Sequence, residues 1–128
     1  MIAPPCMLDT HIAVALYEGK IAGLSARAKR MLDADEIVLS PAVVLELELL
    51  HEIQRLRISA KQLLGTLAQD FGVMIASEKF SAVALHSLSM SFTRDPFDRL
   101  ITAHASLIKA PLITLDSRIL DNYLGALG

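Results

Sequence analysis

The sequence predicts an α/β fold, with a central, mostly parallel sheet of four to five short strands and helices on both faces. Four short apolar runs alternate with longer helical segments along the chain, the pattern of parallel strands joined by helical crossovers. The 128 residues, 53% of them apolar, suffice for one domain, residues 1–128, with a substantial core.

The first run, "PPCML" (4–8), leads into a helix from Thr10 to about Tyr17. A second helix covers "LSARAKRMLDAD" (24–35), followed by the run "EIVLS" (36–40). Pro41 suits a first helical position and opens the longest helix, "PAVVLELELLHEIQRL" (41–56). Ser59 caps "AKQLLGTLAQDF", and "GVMIA" (72–76) is the third run. "EKFSAVALHSLSM" (78–90) is helical, as is "RDPFDRLITAHASL" (94–107), where Asp95 is placed as N-cap ahead of Pro96. The fourth run, "PLITL" (111–115), ends at Asp116, which starts a last short helix near Tyr123. No repeat, low-complexity tract or linker interrupts this order.

Composition excludes several function classes. No apolar run reaches the length of a membrane-spanning helix, and "MIAPPCMLD" lacks a basic region ahead of an apolar one, so an unexported, cytoplasmic protein is expected. A lone cysteine, Cys6, leaves no intrachain disulfide or cysteine metal site. Twelve basic against fourteen acidic residues give no overall polycation. Small basic clusters occur at Arg27, Lys29 and Arg30, at Arg55, Arg57 and Lys61, and at Arg94 with Arg99. The apolar surplus makes self-association an expectation.

In open α/β sheets, ligands gather at the carboxyl ends of the strands. Two of the four runs end in an aspartate there, Asp9 and Asp116, each accompanied by a hydroxyl, Thr10 or Thr114. On the third helix, at about 100° per residue, Ala42, Val43, Leu49, Leu50 and Ile53 all fall within about 60° of Glu46. A carboxylate on that stripe has to be paired, protonated, bound to a cation or open to a cleft. Its i+3 and i+4 positions, Leu49 and Leu50, offer no basic partner. Asp98 has Ile101, Thr102 and Ala105 within about 60°, while Arg99 points away and His104 lies roughly opposite. Asp98 therefore faces inward and Asp95 stays at the cap.

If Asp9, Glu46, Asp98 and Asp116 converge, their mutual repulsion calls for a cation: two unit charges 4 Å apart cost about 4 kcal/mol at an effective dielectric of 20. Mg²⁺ or Mn²⁺ suits such oxygen ligands, and phosphodiester hydrolysis with a metal-activated water is the chemistry that follows. Rival schemes lack their motifs: no Gly-rich phosphate loop, no His pair at i, i+4 and no nucleophile elbow occur. His11, His51, His86 and His104 are scattered, with His11 the best placed of them. A phosphoacceptor receiver would want an acidic pair after the first strand and a lysine after a late one; here Asp9 stands alone and Lys109 precedes the last run.

Taken in order, "MLDTHIAVALY", "LSPAVVLELELLHEI", "RDPFDRLITAHASL" and "PLITLDSRI" cover almost the whole chain and together resemble PIN-domain ribonucleases, specifically the VapC-type toxins of bacterial toxin-antitoxin systems. The resemblance implies a PIN-like three-layer fold and a Mg²⁺- or Mn²⁺-dependent endoribonuclease that acts on RNA. It also implies a homodimer held inactive by a cognate VapB-type antitoxin. By the same resemblance Asp9, Glu46, Asp98 and Asp116 are the metal-binding and catalytic carboxylates, Thr10 and Thr114 their supporting hydroxyls, and Arg94 and Arg99 phosphate contacts. Thr102 and His104 depart from the small or amide residues more usual there. Two alternatives remain at this point: a PIN-fold nuclease of RNA maturation or DNA cleavage, and a non-catalytic module that uses the acidic groove for binding.

Overall fold

A computed structural model describes residues 3–128. Met1 and Ile2, which belong to the stretch assessed for a leader, lie outside the described residues. Five strands, β1 (Cys6–Leu8), β2 (Ile37–Leu39), β3 (Met74–Ile75), β4 (Leu112–Ile113) and β5 (Ala126–Leu127), form one sheet in the order β3-β2-β1-β4-β5. Every pairing is parallel, with Met7 beside both Val38 and Leu112. All residues of β1, β2 and β4 are buried, so helices cover the sheet on both faces and the fold is a three-layer α/β arrangement.

The helices among the described residues are α1 (Thr10–Glu18), α2 (Ala26–Ala34), α3 (Pro41–Glu52), α4 (Ala60–Phe71), α5 (Phe80–Ser87), α6 (Pro96–Leu107) and α7 (Ser117–Asn122). Most start where a short polar side chain can satisfy the orphan amides of the first turn. Asp9, Ser25, Ser40, Ser59, Asp95 and Asp116 each accept such an N–H, and Ser59 with Gln62 completes a capping box. Gly19 and Gly72 end α1 and α4 at φ 71° and 68°, a left-handed conformation that costs glycine little.

Several features differ from the sequence expectation, α2 among them, which at Ala26–Ala34 is shorter than 24–35 at both ends. The sheet is wholly parallel, and its fifth strand, only two residues long at the edge beyond β4, carries too short a pattern to announce itself. Helix α3 stops at Glu52, four residues before the expected end, because Gln54 takes φ 65° and the amides of Arg55 and Leu56 return to the Leu50 carbonyl at 2.9 and 3.2 Å. That turn is usually marked by glycine, so a glutamine hides it. Helix α5 is shorter than the expected 78–90 at both ends, and its N-cap position, Lys79, provides no side-chain cap.

Candidate active site

The strand order reverses between β1 and β4, whose carboxyl ends lie side by side. Asp9 directly follows β1, and Asp116 follows β4 by three residues. A cleft of about 440 Å³ opens there, lined by Asp9, Glu46, Asp98 and Asp116 together with Thr10, His11, Lys20 and Arg55. The four carboxylates expected from the sequence therefore share one cavity. Asp95 caps α6 through its Oδ1, which accepts the amides of Phe97 and Asp98 at 2.9 and 3.0 Å.

Three elements are tied together by a chain of hydrogen bonds. The Thr114 hydroxyl accepts the amide of Asp116 at 3.0 Å and donates to Asp9 Oδ2 at 2.7 Å. Asp9 Oδ1 accepts the Thr10 amide at 2.9 Å, and the Thr10 hydroxyl donates to Glu46 Oε1. Thr114 is fully buried and Asp9 only 3% exposed, so both orientations are fixed by packing as well as by bonding. His11 accepts the Leu115 amide on Nε2 at 3.0 Å, which leaves Nδ1 to carry the proton that faces Asp9 Oδ2 at 3.5 Å.

Glu46 does not sit at the centre of the buried face of α3. Val43 and Leu47 are the buried residues, whereas Leu49 is 38% and Ile53 61% exposed. The apolar stripe is wider than the face that packs, and Glu46 stands at its margin, turned into the cleft; an open cleft was among the outcomes the sequence allowed. Burial raises its carboxyl above the ordinary range, with Asp9 and Asp95 adding to the rise and the Thr10 hydrogen bond opposing it.

Asp98 lies outside the hydrogen-bonded chain. Its carboxyl is pushed up to about 7, first by burial and then by the charges of Asp95, Asp9, Asp116 and Glu46. Among the described residues no lysine or arginine makes a salt bridge with any of the four cleft carboxylates. This donor set of hard oxygens with unbalanced negative charge fits Mg²⁺ or Mn²⁺. Among the described residues no three His, Cys, Asp or Glu side chains are already grouped around a point.

The two arginines suggested as phosphate contacts do not line this cleft. Arg99 directs its guanidinium to the carbonyls of Ser87, Leu88 and Thr93, the closest at 3.0 Å, and so braces the segment between α5 and α6. Arg94 donates to the Ser91 carbonyl at 3.0 Å. Lys20 and Arg55, which do line the cleft, were not distinguishable in sequence from other surface cations. His104 is 1% exposed on the far side of α6, with Nε2 2.7 Å from Glu78 Oε1 and Nδ1 3.2 Å from Ser40 Oγ. It joins α6 to the start of α3 and takes no place in the cleft. Cys6 is buried in β1, and burial pushes its thiol up to about 12, which keeps it protonated and unreactive.

Fold and site together define a parallel-sheet α/β protein with an acidic cleft at its topological switch point. The chain belongs to the PIN domain family, which matches residues 6–123. No curated protein sequence matches it significantly. Among solved structures it is similar to a toxin-antitoxin complex from Klebsiella pneumoniae, at 19% identity over 96% of each chain with a TM-score of 0.67. VapBC-1 from nontypeable Haemophilus influenzae is similar at 23% identity, covering 92% of this chain and 94% of that one, with a TM-score of 0.61. VapBC2 from Rickettsia felis, bound to a DNA fragment from its promoter, shares 16% identity over 95% of each chain with a TM-score of 0.64. These likenesses establish a shared fold.

Proposed function

We propose that the protein is a Mg²⁺- or Mn²⁺-dependent endoribonuclease and the toxin of a type II toxin-antitoxin pair, with residues 1–128 acting as one PIN domain. The observation that carries this reading is the set of Asp9, Glu46, Asp98 and Asp116 on one cleft with no lysine or arginine paired to them among the described residues. Membership of the PIN family supports the nuclease, and the toxin-antitoxin complexes of the same fold support the toxin.

A divalent ion bound in the cleft supplies positive charge at the scissile phosphate and favours ionisation of an attacking water. Asp98, whose carboxyl accepts no hydrogen bond among the described residues, is the most responsive ligand, and Asp9, fixed by Thr114 and Thr10, is the most rigid. Glu46 and Asp116 complete the negative wall, with Glu46 oriented by the Thr10 hydroxyl. His11 Nδ1 faces Asp9 Oδ2, where it steadies that carboxylate.

The same acidic cleft accounts for inhibition by a VapB-type partner, since a basic side chain inserted there satisfies the charge an ion would otherwise balance. A homodimer is part of the reading: Leu45 and Leu49 on α3 and Ile53 at its C-cap stand exposed, an apolar row suited to a second copy. The deciding experiment incubates total cellular RNA with the purified protein and Mn²⁺, with and without EDTA. Metal-dependent appearance of new 5′ ends is expected; intact RNA, together with no divalent-ion binding by calorimetry, would sink the proposal.

A further inference from the structure

The carboxylate cleft continues beyond Arg55. A second groove of about 400 Å³, lined by Tyr17, Arg57 and Ile58 among others, shares Val14, Glu18, Arg55 and Leu56 with it, so the two adjoin along that wall and are taken together as one channel. Charge reverses along this channel: carboxylates fill one end, and Arg55 and Arg57 stand exposed toward the other. Neither guanidinium makes a salt bridge or a side-chain hydrogen bond among the described residues, whereas Glu18, the acid on the shared wall, has Lys20 at 3.9 Å.

The segment that carries the two arginines is ordered by its own contacts. Gln54 turns the chain at φ 65°, the amides of Arg55 and Leu56 bond back to Leu50, and His51 Nδ1 donates to the Leu56 carbonyl at 2.9 Å. Leu56 is buried, which anchors the segment between its two exposed arginines. Tyr17 lines the same groove half-buried, and its hydroxyl has no hydrogen-bond partner among the described residues.

We infer that this channel is a track for one strand of RNA, with Arg55 and Arg57 at successive backbone phosphates and Tyr17 as the surface against which a base packs. The inference rests on the nuclease reading and extends it. Cations that follow a backbone, interleaved with an aromatic face, are the recurrent means of holding a single strand without reading its sequence. Free guanidiniums beside a carboxylate site also solve an electrostatic problem. They attract the polyanion that the acidic cleft alone would repel.

The test measures binding of a fluorescent single-stranded 12-nucleotide RNA by anisotropy, in an Asp98→Asn background that is expected not to cut it. Adding Arg55→Ala and Arg57→Ala should weaken binding about tenfold or more and reduce the slope of log K against log salt by about 1.4, or 0.7 for each phosphate no longer neutralised. Adding Tyr17→Leu should weaken it about tenfold with little change in slope. Lys61→Ala, an exposed cation outside the channel, should leave affinity unchanged and so control for net charge. If wild-type protein cleaves RNA but the double-arginine variant keeps affinity and slope, the track is overturned and the nuclease reading stands. If binding falls as expected while wild-type protein neither cuts RNA nor binds a divalent ion, the nuclease reading fails; the channel then binds RNA without being a substrate track, and the inference is overturned with the reading it rests on. Arginine substitutions that weaken only a protein inhibitor's binding, with RNA affinity intact, also overturn the track.

Discussion

The hydroxyl of Thr114 donates to Oδ2 of Asp9 at 2.7 Å, across 105 positions of sequence. The Thr114 hydroxyl oxygen also accepts the backbone amide of Asp116, so one buried atom ties the Asp9 carboxylate to the start of α7. Thr114→Val keeps the shape and removes both bonds. It should destabilise the fold by about 1 to 3 kcal/mol in urea unfolding, since Asp9 loses a donor and a backbone amide loses its acceptor. Metal affinity should fall about 10- to 100-fold, the usual effect of losing a residue that orients a ligand. Calorimetric titration with Mn²⁺ gives the number, and unchanged affinity would mean that Asp9 needs no such anchor.

Asp98→Asn should abolish metal-dependent cleavage while Asp95→Asn retains most of it. The Asp95 side chain is turned to the amides of Phe97 and Asp98, and an asparagine oxygen can accept both. Asp95→Asn should therefore cost about 0.5 to 1 kcal/mol through the weaker dipole interaction, and Asp95→Ala about 1 kcal/mol through the lost cap. Cleavage assays beside thermal melts separate the two effects; equal loss of activity in both Asn variants would show that the wrong carboxylate has been assigned to the cleft.

The raised pKa of Asp98 makes the metal-free protein respond to pH in the opposite sense to a salt-bridged acid. Between the unfolded value, 3.8, and the folded value of about 7, the native state holds a proton that the unfolded chain has lost. Stability should therefore decline as pH rises through that window. In EDTA the wild type should be less stable at pH 8 than at pH 5.5, and Asp98→Asn should remove part of that loss, on the order of 1 kcal/mol after allowing for screening of a half-exposed group. Saturating Mn²⁺ should restore stability at pH 8 by favouring the charged carboxylate. Urea midpoints at the two pH values decide it, and a variant that tracks the wild type at both would refute the assignment.

Glu46→Gln should weaken Mn²⁺ binding while leaving the fold intact, because Glu46 is turned into the cleft and its only hydrogen-bond partner among the described residues, the Thr10 hydroxyl, can also donate to an amide oxygen. Circular dichroism with calorimetry would check both halves. Unaltered metal affinity and activity would remove Glu46 from the ligand set.

Thr102 holds a fully buried hydroxyl with no partner among the described residues. Thr102→Val, similar in shape, should stabilise the protein by about 1 kcal/mol because no hydrogen bond is lost and the desolvation cost disappears. A destabilised variant in urea unfolding would reveal an internal partner for that oxygen.

What the sequence revealed and what it concealed divide along physical lines. Asp9 and Asp116 were visible because strand ends and helix caps are local, and Asp98 separated from Asp95 by helical periodicity alone. Glu46 was visible for a reason that needed refinement: its stripe is apolar, yet Leu49 and Ile53 face outward, so periodicity marked the residue and tertiary packing decided which edge it occupies. The end of α3 was hidden because Gln54 adopts a conformation glycine normally advertises. Lys20 and Arg55 were hidden because only the fold brings them to the cleft. Arg99, a phosphate contact by the family resemblance, is engaged with three carbonyls in the fold.

β1 is the middle strand of the sheet, yet both its neighbours lie later in the chain, with β4 at Leu112–Ile113. During synthesis Asp9, Glu46 and Asp98 leave the ribosome before the strand that carries Thr114 and fixes Asp9. Long-range parallel pairing is slow to form. On the proposed activity, the cleft is complete only once β4 has paired with β1 and brought Thr114 to Asp9.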